Sequence, residues 1–126
     1  MPAIFQCPSN PNRGCCYVAI AGVFVPGKEE GGLGSRIDPA TAKSMSAITA
    51  GVTNTIAIIE VREPFNWMDP TADIDLAELL RGINAGGRVG SFHSGGCNVG
   101  MLDGSVRFLP DSTDTTTLRS MGTGKF

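Results

Sequence analysis

The chain has 126 residues, and its 17 glycines and 8 prolines together make about a fifth of it, against roughly 12% in ordinary proteins. Twelve acidic and ten basic residues leave a formal net charge of −2, and 41% of the chain is hydrophobic, which excludes default disorder and makes nucleic acid a poor partner. No apolar run approaches the ~18 residues of a membrane span, and the glycines have no collagen period.

The length suits one soluble domain spanning residues 1–126. The chain opens Met1-Pro2-Ala3-Ile4, without the charged and apolar regions of a secretory signal. Two expectations follow: a cytoplasmic chain, or one whose leader lies upstream. Phe5 to Gly14 reads as a loop, because Cys7-Pro8-Ser9-Asn10-Pro11-Asn12 is almost all turn formers. Cys16 to Val25 is an apolar run of strand length, with Gly22 marking a bulge or close approach. Pro26 to Ser35 is a Gly-rich polar loop, and Ile37 to Ala50 fits either a short helix or a loop. Thr53 to Arg62 is the strongest predicted strand, with Ile56, Ile58 and Glu60 alternating with Ala57, Ile59 and Val61.

Pro64 to Pro70 is a loop holding Trp67, the sole tryptophan. Thr71 or Asp73 is positioned to cap a helix running to about Ile83, with Asn84-Ala85-Gly86-Gly87 ending it. Arg88 to Gly96 is a Gly-rich connector. Asn98 to Leu102 and Ser105 to Leu109 flank Asp103-Gly104, which predicts a hairpin with a type I′ turn. Ser112 or Asp114 can cap a last helical turn carrying Leu118 and Met121. The expected fold is α+β: a small antiparallel sheet with a C-terminal hairpin, one main helix and long Gly/Pro-rich loops.

Chemistry-bearing residues are few. His93 is the only histidine; it reads either as a ligand or base, or as a ring that bonds backbone or Asp103 and fixes the loop entering the hairpin. Glu60 in an apolar strand needs a partner, either Arg62, Arg88 or Arg107, or backbone amides. Asn54 and Thr55 are expected to bond the turn ahead of that strand. Cys7 with Cys15 or Cys16 is a candidate disulfide in an oxidising compartment, and Cys97 is expected to be a buried strand residue. The cysteines lack the Cys-x2-Cys knuckle of a zinc site, so no metal site is expected. Asp69, Asp73 and Asp75 are the only candidates for calcium, but without an Asp-x-Asp-x-Asp-Gly loop. Trp67 reads as an aromatic lid over the sheet or as a binding platform.

The stretch Phe92-His93-Ser94-Gly95-Gly96-Cys97-Asn98-Val99-Gly100-Met101-Leu102-Asp103-Gly104-Ser105-Val106-Arg107-Phe108-Leu109 places nine residues between His93 and Asp103-Gly104. It resembles the His-x9-Asp-Gly hallmark of a bacterial family abundant in planctomycetes, whose members look like type II secretion pseudopilins. Such members usually carry an N-terminal prepilin cleavage and methylation helix ahead of a domain of unknown function. Phe5-Gln6-Cys7-Pro8-Ser9-Asn10, Cys16-Tyr17-Val18-Ala19-Ile20-Ala21-Gly22, the block from Ile48 to Thr55 with Glu60, Pro64-Phe65-Asn66-Trp67 and Leu109-Pro110-Asp111-Ser112 extend the likeness in family order. Ala50 stands for the usual Asp, Val52 for Thr and Cys16 for Asn, so the turn there must rely on Gly51 and Thr53. The N-terminal helix has no counterpart in this chain.

The resemblance implies a pseudopilin-like head whose motif residues are His93, Asn98, Asp103, Gly104, Asn54 and Glu60. It implies contact with other pseudopilin-like subunits or secretion-system proteins, no catalysis, and a periplasmic, cell-surface or extracellular site if a helix lies upstream. Two alternatives stand beside it. One is a secreted module binding carbohydrate or a small solute through the Gly-rich loops and Trp67. The other is a metalloenzyme using His93 with Cys97 or Asp103.

Overall fold

The computed structural model describes residues 1–20, 51–69 and 72–124. The readings made for residues 21–50, including the Gly22 bulge, lie outside these, as does Thr71. Four strands form one antiparallel sheet: β1 (Cys15–Ala19), β2 (Ile56–Phe65), β3 (Gly96–Met101) and β4 (Val106–Pro110), ordered β1-β2-β3-β4. Among the described residues, two α-helices, α1 (Leu76–Leu80) and α2 (Thr115–Thr123), join the sheet in an α+β domain.

The sheet divides its residues by alternation. Val18, Ile59, Val61, Cys97, Val99, Met101 and Leu109 join Leu76, Leu79, Leu118 and Met121 in the core. Tyr17, Ile58, Glu60, Asn98, Gly100 and Val106 occupy the other face. The plain alternation expected in β2 is broken by an irregularity between Ile56 and Ile58. An extra residue in one strand shifts its faces. Ile56, Ile59 and Val61 are therefore all buried, while Ile58 is 44% exposed. β2 also runs on to Phe65, past its predicted end. Beyond Glu60 the partner on its β3 side changes: Val61 bridges Val89, and the Arg62 amide donates to the Arg88 carbonyl at 3.0 Å.

The first helix is shorter than its pattern predicts. Ile74 is fully buried and forms a parallel bridge with Ile20, so the chain is still extended there. The helix starts only at Leu76, and Asp75 is its cap, accepting from the Glu78 amide at 2.8 Å. Gly82, at φ 97°, turns the chain away immediately after it. The last helix is longer than expected. Asp114 caps it, accepting from the Thr117 amide at 2.8 Å, and Leu118 and Met121 anchor it in the core.

The β3–β4 hairpin forms where expected, with a different turn. Gly104 has φ 87° while Asp103 has no positive φ. The Gly104 amide donates to the Met101 carbonyl at 3.0 Å, and the Met101 amide to the Ser105 carbonyl at 2.8 Å. This is a three-residue loop closed by a left-handed glycine, the commonest alternative to the type I′ turn. Asp103 stabilises it by accepting from the Ser105 amide (2.9 Å) and hydroxyl (2.6 Å). Those bonds hold the exposed Asp103 carboxyl below its ordinary value.

Candidate functional site

The turn former Asn10 places the N-terminal loop. Its amide donates to the Arg62 carbonyl at 2.8 Å, its side-chain oxygen accepts from the Asn12 amide at 3.0 Å, and its backbone amide closes a turn onto the Cys7 carbonyl at 3.1 Å. Cys7 is thereby laid, 2% exposed, over β2. The His93 loop is held by a second set of bonds. Arg62 reaches the Ser91 carbonyl (2.7 Å) and the Asn84 side-chain oxygen (3.3 Å) and lies over the Phe92 ring. The Ser91 hydroxyl donates to the Gly96 carbonyl (2.5 Å) and accepts from the His93 amide (3.0 Å).

These two loops bring three distant residues together. The His93 Nε2 lies 3.3 Å from Cys7 Sγ and 3.4 Å from Glu60 Oε1, and the three donor atoms are all within 4.8 Å of one another. Glu60 is 1% exposed. Its Oε2 accepts from the Asn98 amide at 2.6 Å, while Oε1 has no hydrogen bond. The other ring nitrogen, Nδ1, lies 3.3 Å from the Ser9 hydroxyl. Burial, reinforced by the Glu60 charge, raises the Cys7 thiol above its ordinary value. The same two causes push the Tyr17 phenol, opposite Glu60 on β1, up to about 12.

The geometry revises several expectations. His93 does not meet Asp103: the six-residue strand β3 separates them, a run of about 20 Å. Nor does it meet Cys97, which is buried in the core, where desolvation lifts its thiol to about 12. Glu60 uses a backbone amide, as one of its two readings required, and pairs with none of the three arginines. Arg88 pairs with Glu78 at 3.5 Å, and Arg107 bonds the Thr53 carbonyl (2.5 Å) and Asn54 Oδ1 (3.4 Å). Thr55 bonds the turn as expected, donating to the Gly51 carbonyl at 2.9 Å. The turn rests on Gly51, at φ 84°, and on Thr55. The disulfide is absent, and all four cysteines are free thiols. Cys7 faces His93, while Cys15 donates to the Tyr17 carbonyl and Cys16 to the Gly14 carbonyl. Of the calcium candidates, Asp75 is spent as a helix cap, and none of the three joins a donor cluster among the described residues.

Beside the cluster, the open face of the sheet forms a cleft of about 790 Å³, within the range of ligand pockets. Ile4, Phe5, Tyr17, Ile58, Trp67 and Val106 line it. Trp67 is 45% exposed and stacks on Phe5, with ring centroids 5.8 Å apart. It borders the sheet face as a half-buried aromatic, partnered by a ring that the sequence did not single out.

A family model described as a protein of unknown function (DUF1559) matches residues 70–116, which carry His93, Asn98, Asp103 and Gly104. This segment of the chain is similar to that family. No curated protein and no solved structure matches the chain. Among the described residues, no helix is long and apolar enough to cross a membrane.

Proposed function

We propose that the chain is the head domain of a pseudopilin-like protein, linked to a type II secretion or pilus-like system, and that it works by contact with other subunits and not by catalysis. The observation that carries this reading is the edge strand β4. Among the described residues it has a neighbour only in β3, and it leaves Val106 73% and Phe108 49% exposed. Unpaired strand edges with apolar side chains are ready sites for pairing with another chain. The family-model match over residues 70–116 supports the same reading, as does the likeness of the segments before it. A home outside the cytoplasm is part of the proposal and follows from the family likeness alone.

In this reading, assembly needs the prepilin helix as well as the head. The purified chain should therefore run as a monomer or weak oligomer in light scattering. Long filaments formed by the chain alone would overturn the proposal. A second reading, a small solute held in the cleft, is favoured by Trp67 and Phe5 on its wall. The mostly apolar lining suits an apolar solute better than a sugar.

A further inference from the structure

We propose that Cys7 Sγ, Glu60 Oε1 and His93 Nε2 form a binding site for one zinc-class divalent cation, with a fourth coordination position left open. The first argument is convergence. Tetrahedral zinc has Zn–S near 2.3 Å and Zn–N and Zn–O near 2.0–2.2 Å, which puts sulfur and nitrogen about 3.5 Å apart and nitrogen and oxygen about 3.4 Å apart. The observed separations are 3.3 and 3.4 Å. Two of the three donor–donor edges therefore already match a zinc tetrahedron, and the third, Cys7 Sγ to Glu60 Oε1, is within 4.8 Å.

The second argument is the orphaned oxygen. Glu60 Oε1 is buried, has no hydrogen bond and lies beside the Nε2 and Sγ atoms. A buried carboxylate oxygen without a hydrogen bond is costly, and a cation bound between the three donors would remove that cost. The carboxylate is already oriented for it, since the Asn98 amide holds Oε2 and leaves Oε1 for the site.

The third argument separates metal binding from thiol catalysis. A Cys–His–acid relay needs the thiol on one ring nitrogen and the acid on the other. Here the Cys7 sulfur and the Glu60 oxygen both face Nε2, and the Ser9 hydroxyl faces Nδ1. A hydrogen bond from Nδ1 to an outer group is the usual way to fix a metal-ligating imidazole, because it leaves the Nε2 lone pair free. The donor set of one sulfur, one imidazole and one carboxylate selects zinc-class ions over calcium or magnesium. The sequence hid this site because its cysteine and histidine are 86 residues apart, without knuckle spacing.

The test uses the full chain, reduced and stripped of metal, with Co²⁺ as the probe. The expected result is a thiolate-to-cobalt charge-transfer band with tetrahedral visible bands, saturating at one cobalt per chain and displaced by zinc. Cys7→Ser should remove the charge-transfer band, and Cys97→Ser should keep it. His93→Gln and Glu60→Gln should each weaken cobalt binding at least about tenfold, the lower end of the loss seen when only an outer-shell partner is removed. Circular dichroism of each variant reports folding. A folded wild-type chain with no such band, or a band that survives Cys7→Ser, overturns the assignment, and neither result depends on whether any variant folds.

Discussion

Gly96→Ala is expected to cost at least about 3 kcal/mol, the upper range of core overpacking, and thus much of a typical domain's 5–15 kcal/mol. A Cβ on Gly96 would stand 2.1 Å from the Leu109 carbonyl oxygen and 2.9 Å from its carbon. Both are backbone atoms of the paired strand β4, so no rotamer relieves the clash. The hairpin must open, and with it goes the bond from the Ser91 hydroxyl to the Gly96 carbonyl that steadies the His93 loop. Gly95→Ala is the contrast. Its neighbourhood is empty and only its φ of 83° is strained, at about 1–2 kcal/mol. Urea unfolding of the two variants checks the difference. Equal, small losses would contradict the close approach of β3 and β4.

The second large effect is alkaline. Cys97 is fully buried, and desolvation first, then the Glu60 charge, raises its thiol from 9.0 to about 12. The folded chain thus holds this proton more tightly than the unfolded chain. Its contribution is complete below pH 9.0 and is lost as pH rises toward about 12. Three pH units at about 1.4 kcal/mol each set an upper scale of about 4 kcal/mol. The Tyr17 phenol, raised from 10.0 to about 12, acts in the same direction. Urea midpoints measured from about pH 8 to about pH 11 should fall steadily, and Cys97→Ala should flatten the fall. A pH-independent wild-type midpoint would contradict the burial of Cys97.

Both predictions rest on features that differ in how far the sequence disclosed them. The hairpin was legible because Asp103-Gly104 between two apolar runs is a local signal. Its turn type was not, since Gly104 alone supplies the positive φ. Gly96 reads as another loop glycine, yet it lies within β3 and is needed for the closeness of Leu109. The start of α1 lies later than the pattern predicts for a tertiary reason: Ile74 fits a helical stripe, but its pairing with Ile20 keeps it extended. Of the two capping candidates, Ser112 and Asp114, the structure uses Asp114, a contact over three residues.

The candidate site was legible only in part. Glu60 announced that it needed a partner, since a carboxylate in an apolar strand must be satisfied. His93 announced itself by being alone. Nothing local joins either to Cys7, whose position depends on the Asn10 bond to β2, while that of His93 depends on the Arg62 bonds to its own loop. Arg62 is one of the partners the sequence offers Glu60, whereas in the structure it organises the loop that carries His93.

The central functional claim is that the β4 edge is the contact surface of the head. Photo-crosslinking in the native cell tests it most directly, with benzoylphenylalanine replacing Phe108 on β4 and, as a control, the exposed Arg119 on α2. The account predicts a discrete product from position 108 and none from 119, with mass spectrometry identifying the partner as a protein bearing a prepilin-type helix. No product from position 108, or the same products from both positions, would contradict it.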